Sequence, residues 1–291
     1  MDATERYIER LRAVEAVPLT RETLAHHRAE MDRMAPRLYP AAAEVAVQDF
    51  LAGAVPVRVY GQAPDGAAVL FLHGGGFVMG SIASHDGICR DLAARIGGVV
   101  VAVDYRLAPE HPFPAGLLDA EAALDWLHAR WPGRPVVVMG DSAGGHLAAW
   151  LAGRDPLPAL QVLVYPALDP EGTTASHRDY AAGYGLDREV TRFCWNALAP
   201  AALPQPAASC PAVLVTGGLD PLCDEGRAFA EALRQAGGVV REFHYPRMVH
   251  GFLSMPRLFD EAGEALVLLA AIIRGVGQGR TINDITTGEC G

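Results

Sequence analysis

Short apolar runs alternate with segments of helical periodicity over most of the chain. Four runs are almost continuously apolar, at residues 67–72, 135–139, 160–165 and 211–216. Strands that are buried on both faces of a parallel sheet have this composition. Between the runs, apolar residues recur on one helical face, as Ile88, Leu92 and Ile96 do. The alternation predicts an α/β fold in which helices flank a mostly parallel central sheet.

The run at residues 135–139 leads directly into Gly-Asp-Ser-Ala-Gly-Gly at 140–145, and a helical segment follows at 146–151. A strand, a Gly-x-Ser-x-Gly turn and a helix are the context of a nucleophile elbow, which lifts a serine hydroxyl above the sheet edge. The glycines two residues before and after Ser142 remove side chains that would collide in such a turn. The pattern predicts that Ser142 is a nucleophile rather than a residue of an ordinary turn.

A serine hydroxyl is a weak nucleophile at neutral pH, so Ser142 requires a base and an acid that orients the base. In hydrolases with this elbow, the acid and then the histidine follow the serine along the chain. Asp220 lies just beyond the fourth apolar run, and His250 lies in a predicted loop at 246–252 after an alternating strand at 239–245. Both are expected at the carboxyl edge of the sheet, where they complete a predicted catalytic triad.

Other carboxylates and histidines compete for these roles. Asp224 and Glu225 fall in the first turn of a helix predicted at 222–236, where they are expected to complement the helix dipole. His244 belongs to a strand and is expected to be a packed or surface residue. Four further histidines are expected on the surface, namely His26, His27, His128 and His177.

A second glycine-rich loop, His-Gly-Gly-Gly-Phe at residues 73–77, follows the first apolar run. Acyl transfer places negative charge on the carbonyl oxygen of a tetrahedral intermediate, and each backbone N–H aimed at that oxygen contributes about a hundredfold to a thousandfold in rate. Consecutive glycines let a backbone approach the substrate with its amides exposed. Gly74 and Gly75 are the predicted donors from this loop, together with the amide of Ala143.

The same glycines also suggest a dinucleotide-binding turn. Gly74, Gly76 and Gly80 follow a strand, and Asp104 ends the next strand roughly 20 residues on, where a ribose-binding acid is expected. The following helix, however, is predicted to start near Ser84, so the glycines stand too far from its N-terminus to hold a pyrophosphate. A dinucleotide site would also leave the predicted triad unexplained, and the acyl-transfer interpretation is preferred.

Five motifs that occur in order resemble those of the hormone-sensitive-lipase-like branch of the α/β-hydrolase fold, the bacterial family IV carboxylesterases. They lie at residues 73–76, 104–114, 140–145, 220–226 and 250–252, and the resemblance runs from about residue 56 to residue 259. The aspartate before the serine resembles the subgroup with Asp at that position. The resemblance implies that Ser142 is the nucleophile, His250 the base and Asp220 the orienting acid, with the oxyanion hole at Gly74, Gly75 and Ala143.

The chain departs from the family pattern in two respects. Cys223 stands where family members usually carry an arginine. The connections at 131–135, 153–158 and 199–206 look short for the family, so the shape of the pocket is not carried over. The resemblance implies a preference for short acyl esters, C2 to C8.

The chain is expected to divide into a core and a helical cap. The predicted parts are an N-terminal helical cap segment at 1–40, an α/β-hydrolase core at 41–168 and 207–276, a cap insertion at 169–206, and a polar tail at 277–291. Helices are predicted at 3–17, 20–34, 187–198 and 257–274. By resemblance, the cap covers the serine, and Phe77, Trp195 and Phe252 are expected to contact the acyl chain.

Composition narrows the class of partner. The 291 residues include 51% hydrophobic and 20% charged residues, as in globular proteins, and a net charge of −10 argues against nucleic acid or an anionic membrane as a partner. No apolar run is long enough to span a membrane and no signal-peptide core is found, so a cytoplasmic location is expected. The five cysteines form no Cys-x-x-Cys pair, and free thiols with no metal and no cofactor are expected.

Three classes of function follow from these observations. The favoured class is a serine carboxylesterase that hydrolyses short-to-medium acyl esters of small molecules through an acyl-enzyme intermediate. The second is an acyltransferase, or a tailoring hydrolase or lyase, that acts on a small natural product through the same triad. The third is a non-catalytic small-molecule receptor, which would not need an intact triad. The expected partner is a small-molecule ester, and a homodimer is left open.

Overall fold

An eight-stranded sheet forms the centre of the protein in the computed structural model, which describes residues 2–14, 16–39, 43–62 and 65–285. In chain order, the strands are β1 (Val47–Ala52), β2 (Val55–Tyr60), β3 (Ala68–Leu72), β4 (Val99–Val103), β5 (Val136–Asp141), β6 (Leu160–Val164), β7 (Ala212–Leu219) and β8 (Val240–Val249). Their order across the sheet is β1-β2-β4-β3-β5-β6-β7-β8. The β1–β2 and β2–β4 pairs are antiparallel and the other pairs are parallel, which confirms the predicted mostly parallel sheet.

Helices cover both faces of this sheet, as the α/β pattern predicts. They are α1 (Ala3–Ala13), α2 (Leu24–Leu38), α3 (Asp86–Ile96), α4 (Ala115–Arg130), α5 (Ala143–Leu151), α6 (Ala175–Asp179), α7 (Arg188–Leu198), α8 (Cys223–Gln235) and α9 (Asp260–Gly277). Helices α3 and α9 supply one core layer, whereas α4, α5 and α8 supply the other.

The side chains of β3 alternate between the two core layers. Val69 and Phe71 pack in the layer of α3 and α9, while Leu70 and Leu72 pack in the layer of α4 and α5. Successive side chains of a strand point to opposite faces of a sheet. Because both faces of this sheet are covered, its central strands are continuously apolar runs in the sequence.

Helices α2 and α7 both pack on the chain just after the glycine loop at residues 73–77. Leu24 of α2 and Cys194 of α7 share a buried cluster with Val78 and Ala108. The guanidinium of Arg28 donates to the carbonyls of Val78, at 2.7 Å, and Ala108, at 3.0 Å. The N-terminal segment and the insertion after β6 are therefore anchored to the same part of the core.

Several element bounds differ from the sequence-based expectation. Helix α1 ends at Ala13 rather than near residue 17, and α2 extends to Leu38, beyond residue 34. Helix α9 spans Asp260–Gly277 rather than 257–274. Strand β8 extends to Val249, so much of the loop predicted at 246–252 is strand, because its pairing with β7 continues to the Leu219–Val249 pair.

The first part of the expected polar tail is packed against the core. Ile282 and Ile285 are buried in the same layer as α9. Arg241 of β8 donates hydrogen bonds to the carbonyls of both residues, and the Ile285 side chain fills the space beside Gly275. The two isoleucines of this otherwise polar segment are therefore buried against an apolar surface of the core. Residues 286–291 of the expected tail lie outside the described residues.

Candidate active site

Ser142 lies at the turn between β5 and α5, with φ 53° and ψ −118°. A non-glycine residue in this backbone region is strained. The turn is also too tight for side chains on either side: a Cβ at residue 140 would lie 2.2 Å from the carbonyl oxygen of Gly144, and a Cβ at Gly144 would lie 1.9 Å from that of Leu72. The glycines of the motif are therefore required by the close approach of backbone atoms.

The sheet brings Asp220 and His250 together because they follow neighbouring strands. Leu219 ends β7 and pairs with Val249, which ends β8, so Asp220 and His250 leave the sheet side by side. His250 Nδ1 donates to Asp220 Oδ2 over 2.9 Å, and Ser142 Oγ lies 2.9 Å from His250 Nε2. The three residues that the sequence predicts as a triad are thus joined in one hydrogen-bonded chain.

The exposed fraction of the side chain differs between Asp220 and His250. The Asp220 side chain has 0% of its surface exposed, and its second oxygen accepts a hydrogen bond from the backbone N–H of Leu222 over 2.8 Å. The His250 side chain is 12% exposed and packs edge-on against the Tyr165 ring, with the ring centroids 4.8 Å apart. The carboxylate is therefore fixed in the interior, while the imidazole keeps a small solvent-exposed surface.

The competing carboxylates of α8 do not pair with His250. Asp224 accepts a hydrogen bond from the backbone N–H of Ser176, at 2.9 Å, and Glu225 accepts one from that of Leu168, at 2.6 Å. Both lie in the first turn of α8 as expected, but Glu225 is buried. Their carboxylates attach α8 to the insertion after β6, a contact that the helix-dipole interpretation does not include.

One of the predicted surface histidines was placed wrongly. His177 on α6 is buried, because the insertion folds its ring down onto the start of α8. His26 is exposed, and His27 and His128 are partly buried. His244 is exposed on β8, where its Nδ1 lies 2.9 Å from the hydroxyl of Thr216.

The glycine loop differs from the predicted oxyanion hole at one position. The backbone N–H of Gly74 donates to Asp141 Oδ1 over 2.9 Å, so this amide is already engaged. The next two amides, of Gly75 and Gly76, have no hydrogen-bond partner within the described ranges, and Ala143 occupies the first position of α5, where a helical N–H has no intrahelical acceptor. Gly74 is therefore replaced by Gly76 as a candidate donor.

Asp141 connects this loop to the nucleophile turn from inside the protein. Both of its oxygens face His85 Nε2, Oδ1 at 3.2 Å and Oδ2 at 3.4 Å, and His85 Nδ1 lies 2.8 Å from the hydroxyl of Ser84. Burial would raise the pKa of the Asp141 carboxyl, but the charge and hydrogen bond of His85, with smaller contributions from His73 and the Gly74 amide, hold it below its usual value. Asp141 is thus a buried carboxylate that accepts one hydrogen bond from the loop and faces His85. The sequence showed it only as the residue before the serine.

The three residues expected to contact the acyl chain occupy two different places. Phe77 and Trp195 lie in one buried cluster with Ala143, and their ring centroids are 5.1 Å apart. Phe252 has no exposed surface and packs in the core against the rings of Tyr165 and Tyr245. The expectation for Phe252 is therefore wrong, because the chain turns inward at the residue after His250 and buries this ring.

His146 holds the nucleophile helix in place, a positioning role that the sequence did not indicate. Its Nδ1 donates to the carbonyl of Ala167 over 2.9 Å, and its Nε2 accepts a hydrogen bond from the Trp150 indole over 3.1 Å. Burial lowers the pKa of His146 to about 4, so the ring is neutral at neutral pH. Its edge contacts with Phe77 and Trp195 tie the nucleophile helix to the glycine loop and to α7. Only the spatial proximity of these residues identifies that role.

Cys223, which stands where the family usually has an arginine, lies at the start of α8 and is buried. Burial raises the pKa of its thiol to about 11. The other described cysteines, Cys89, Cys194 and Cys210, are also buried and free. Cys194 Sγ packs against Gly76, where an added Cβ would lie 2.3 Å from the sulfur.

One group of side chains in the described part of the chain could hold a metal ion. It consists of Asp169, His177 and Glu225, whose ligand atoms lie within 4.8 Å of one another. Within the same described ranges, no helix has both the length and the apolar character needed to cross a bilayer.

Comparisons with known proteins place this chain in a family. A family model described as alpha/beta hydrolase fold matches residues 69–254. An ethyl acetate hydrolase of Pseudomonas putida is 37% identical, over 76% of this chain and 78% of the relative. Esterase LipI of Mycobacterium tuberculosis is also 37% identical, over 77% of this chain and 80% of the relative.

Solved structures agree with the sequence relatives. An ester hydrolase from the metagenome of Lake Arreo, in complex with a bipyridine phosphonate derivative, is 33% identical and superposes with a TM-score of 0.83, covering 96% of this chain and 99% of the other. A hyperthermophilic esterase from Pyrobaculum calidifontis is 31% identical, with a TM-score of 0.83 and coverage of 95% and 99%. The chain belongs to the α/β-hydrolase family, in its hormone-sensitive-lipase-like branch, and is a carboxylesterase.

Proposed function

We propose that this carboxylesterase works through an acyl-enzyme intermediate on Ser142. The observation that carries the proposal is the pair of 2.9 Å contacts that join Ser142 Oγ to His250 Nε2 and His250 Nδ1 to Asp220 Oδ2. Because the carboxylate can only accept, it holds the imidazole proton on Nδ1 and leaves the Nε2 lone pair facing the serine hydroxyl. His250 is then the general base and Asp220 the residue that orients it.

The reaction proceeds in two halves. In the first, Ser142 Oγ attacks the ester carbonyl carbon while His250 Nε2 takes the hydroxyl proton. The tetrahedral oxyanion accepts hydrogen bonds from the amides of Gly75, Gly76 and Ala143, and His250 gives its proton to the alcohol oxygen as that bond breaks. In the second half, water attacks the acyl carbon while His250 Nε2 takes its proton, and His250 then gives that proton to Ser142 Oγ as the acyl–oxygen bond breaks and the acid leaves.

Short-to-medium acyl esters of small molecules are the proposed substrates. Phe77, Trp195, Leu198 and Leu222 form a buried apolar cluster with Ala143, the residue after the nucleophile, and so offer an apolar surface to the acyl group. One relative with 37% identity is named an ethyl acetate hydrolase, which supports a short acyl group. Phe77 and Trp195 remain the proposed acyl contacts.

We propose that residues 1–40 and 169–206 act as the cap over this site. The packing of α2 and α7 on the chain after the glycine loop supports this division. The four buried free thiols among the described residues suit a reducing compartment, and we propose the cytoplasm as the location. A homodimer stays a prediction: β8 ends the sheet and offers an edge for pairing, and light scattering on the purified protein tests it.

Substitution of the proposed nucleophile tests the acyl-enzyme. Ser142→Ala is expected to lower kcat by about 10⁴–10⁶-fold with the fold retained, because the triad acts as a unit. Ser209→Ala, which removes an exposed serine far along the chain from the elbow, is the matched control and should leave kcat unchanged. Mass spectrometry after reaction with an aryl phosphonate should find the adduct on Ser142. Near-normal turnover by folded Ser142→Ala would contradict the proposal.

A further inference from the structure

Three side chains outside the triad converge where the insertion after β6 meets α8. Asp169 follows β6 by a few residues, His177 belongs to α6, and Glu225 lies in the first turn of α8, five positions after Asp220. Their ligand atoms lie within 4.8 Å of one another. Asp169 is partly buried, whereas the His177 and Glu225 side chains are only 4% and 3% exposed.

Two polar atoms in this group face each other without a hydrogen bond. His177 Nε2 and Glu225 Oε2 are 3.3 Å apart, and neither has a hydrogen-bond partner among the residues that the structure describes. Buried polar atoms in native proteins are nearly always satisfied, so an unpaired couple of this kind requires an explanation. In a tetrahedral site with metal–ligand distances of about 2.0–2.1 Å, neighbouring ligand atoms lie about 3.3–3.4 Å apart. The observed separation has that value.

The hydrogen bonds around His177 leave a lone pair on Nε2. The Ser176 hydroxyl donates to the carbonyl of Pro221 over 2.7 Å, so it accepts from the Thr174 hydroxyl, which lies 3.0 Å away. Thr174 Oγ1 therefore accepts the Nδ1 proton of His177 over 2.8 Å. A metal-binding histidine normally donates its other ring N–H to such a partner, which fixes the tautomer and the ring orientation.

The two carboxylates are oriented by backbone amides in the same way. Glu225 Oε1 accepts from the N–H of Leu168 over 2.6 Å, which turns Oε2 towards His177. Asp169 Oδ1 accepts from the N–H of Glu171 over 2.9 Å, and Oδ2 accepts from that of Thr173 over 3.3 Å. Each carboxylate oxygen keeps a further lone pair that could bind a cation.

The charge balance of the site also favours a cation. The Glu225 side chain is only 3% exposed, and the carboxylates of Asp169 and Asp220 lie close enough to act on it electrostatically. A divalent ion would offset the cost of a buried carboxylate at this position.

We propose that Asp169, His177 and Glu225 bind a divalent transition-metal ion, with Zn²⁺ as the best match and water as the fourth ligand. An imidazole with two carboxylates suits zinc better than magnesium or calcium, which prefer oxygen ligands alone. The ion serves a structural role, because it joins the insertion to the helix that follows Asp220. It takes no part in the chemistry at Ser142.

The test uses the full chain without a histidine tag, stripped with a chelator and titrated with Zn²⁺ while the Tm is recorded. One equivalent of Zn²⁺ is expected to raise the Tm, because an ion that binds only the folded state stabilises it. Co²⁺ in its place should give a visible absorption band from a site with nitrogen and oxygen ligands. Neither readout depends on ester hydrolysis, so the result is independent of the proposed catalytic triad.

Two variants locate the ion. His177→Gln and Asp169→Asn should each weaken Zn²⁺ binding by at least about 100-fold. Loss of a residue that only hydrogen-bonds to a metal ligand already costs up to about 100-fold in affinity, and each of these variants loses a ligand itself. Asp169→Asn changes a partly buried loop residue and keeps the test valid if His177→Gln fails to fold. The control His244→Gln removes an exposed histidine from β8 and should bind like the wild type. A wild type whose Tm no ion raises, or equal binding by all variants, would overturn the proposal, and a water or a shared proton would then bridge His177 and Glu225.

Discussion

Replacement of Asp141 by alanine is expected to lower kcat by about 10²–10³-fold, although Asp141 is no part of the proposed triad. Its carboxylate accepts the hydrogen bond of the Gly74 amide over 2.9 Å inside the protein. A hydrogen bond to a charged group contributes about 1.5–3 kcal/mol, and a buried donor left without a partner costs a similar amount. Without Asp141, the acceptor that remains for the Gly74 amide is His85 Nε2, at 3.4 Å. A shorter contact requires the loop backbone to move, and the adjoining amides of Gly75 and Gly76 move with it.

The size of the effect follows from the oxyanion donors. Loss of one such donor costs about 2.7–4 kcal/mol in the transition state, which corresponds to about 10²–10³-fold in kcat. Asp141→Asn keeps an oxygen that can accept from Gly74 and loses only the charge, a difference of about 1 kcal/mol or roughly fivefold. The alanine variant should therefore lose kcat with little change in KM, and the asparagine variant should remain within about tenfold of the wild type.

The assay is steady-state hydrolysis of a p-nitrophenyl ester, with active sites counted by titration with an aryl phosphonate and folding checked by the Tm. Active-site titration separates a slow enzyme from a partly unfolded sample. If Asp141→Ala is folded and its kcat lies within about fivefold of the wild type, Gly74 does not position the oxyanion donors. If Asp141→Asn is as slow as Asp141→Ala, the relevant contact is the one to His85 rather than the one to Gly74.

Three further predictions test other parts of the site. Asp220→Asn should retain the fold and lose about 10⁴-fold in kcat, because the imidazole is then held in the wrong tautomer. Asp224→Asn should mainly lower the Tm. If the two effects were reversed, Asp224 and not Asp220 would be the orienting acid. On p-nitrophenyl esters of increasing acyl length, kcat/KM should peak at short chains. Each methylene that fits adds at most about 0.8 kcal/mol of binding free energy, and one that does not fit must displace packed side chains. Efficient cleavage of emulsified long-chain triglyceride would refute this. Burial raises the pKa of Glu225, so in chelator-treated protein the folded state retains a proton that the unfolded state releases. The free energy of unfolding should therefore fall as the pH rises above about 4.3, the pKa of an unperturbed glutamate. Glu225→Gln should remove that part of the slope in Tm against pH, and an unchanged slope would contradict the burial argument.

The nucleophile turn could be predicted from the sequence because its signal is local. A Cβ at residue 140 would collide with the carbonyl of Gly144 within the same turn, whereas the second glycine, Gly144, is required by the backbone of Leu72 on the neighbouring strand β3. The apolar runs before Asp220 and His250 likewise place those residues at strand ends, and parallel pairing puts such ends at one edge of the sheet. The order of strand, turn and helix along the chain was therefore enough to indicate the fold and to select Ser142, Asp220 and His250.

Contacts between distant parts of the chain decided the rest. The Gly74 amide is engaged by Asp141, 67 residues later, so no inspection of the glycine loop could show which amides remain available. Phe252 lies beside the histidine in sequence but turns into the core, and Ile282 is buried because α9 and β8 offer it an apolar surface. His177 has the sequence context of a surface residue, and only the fold of the insertion brings it onto Glu225. Whether a polar group is exposed, engaged or unpaired depends on what packs against it, and local periodicity carries no information on that.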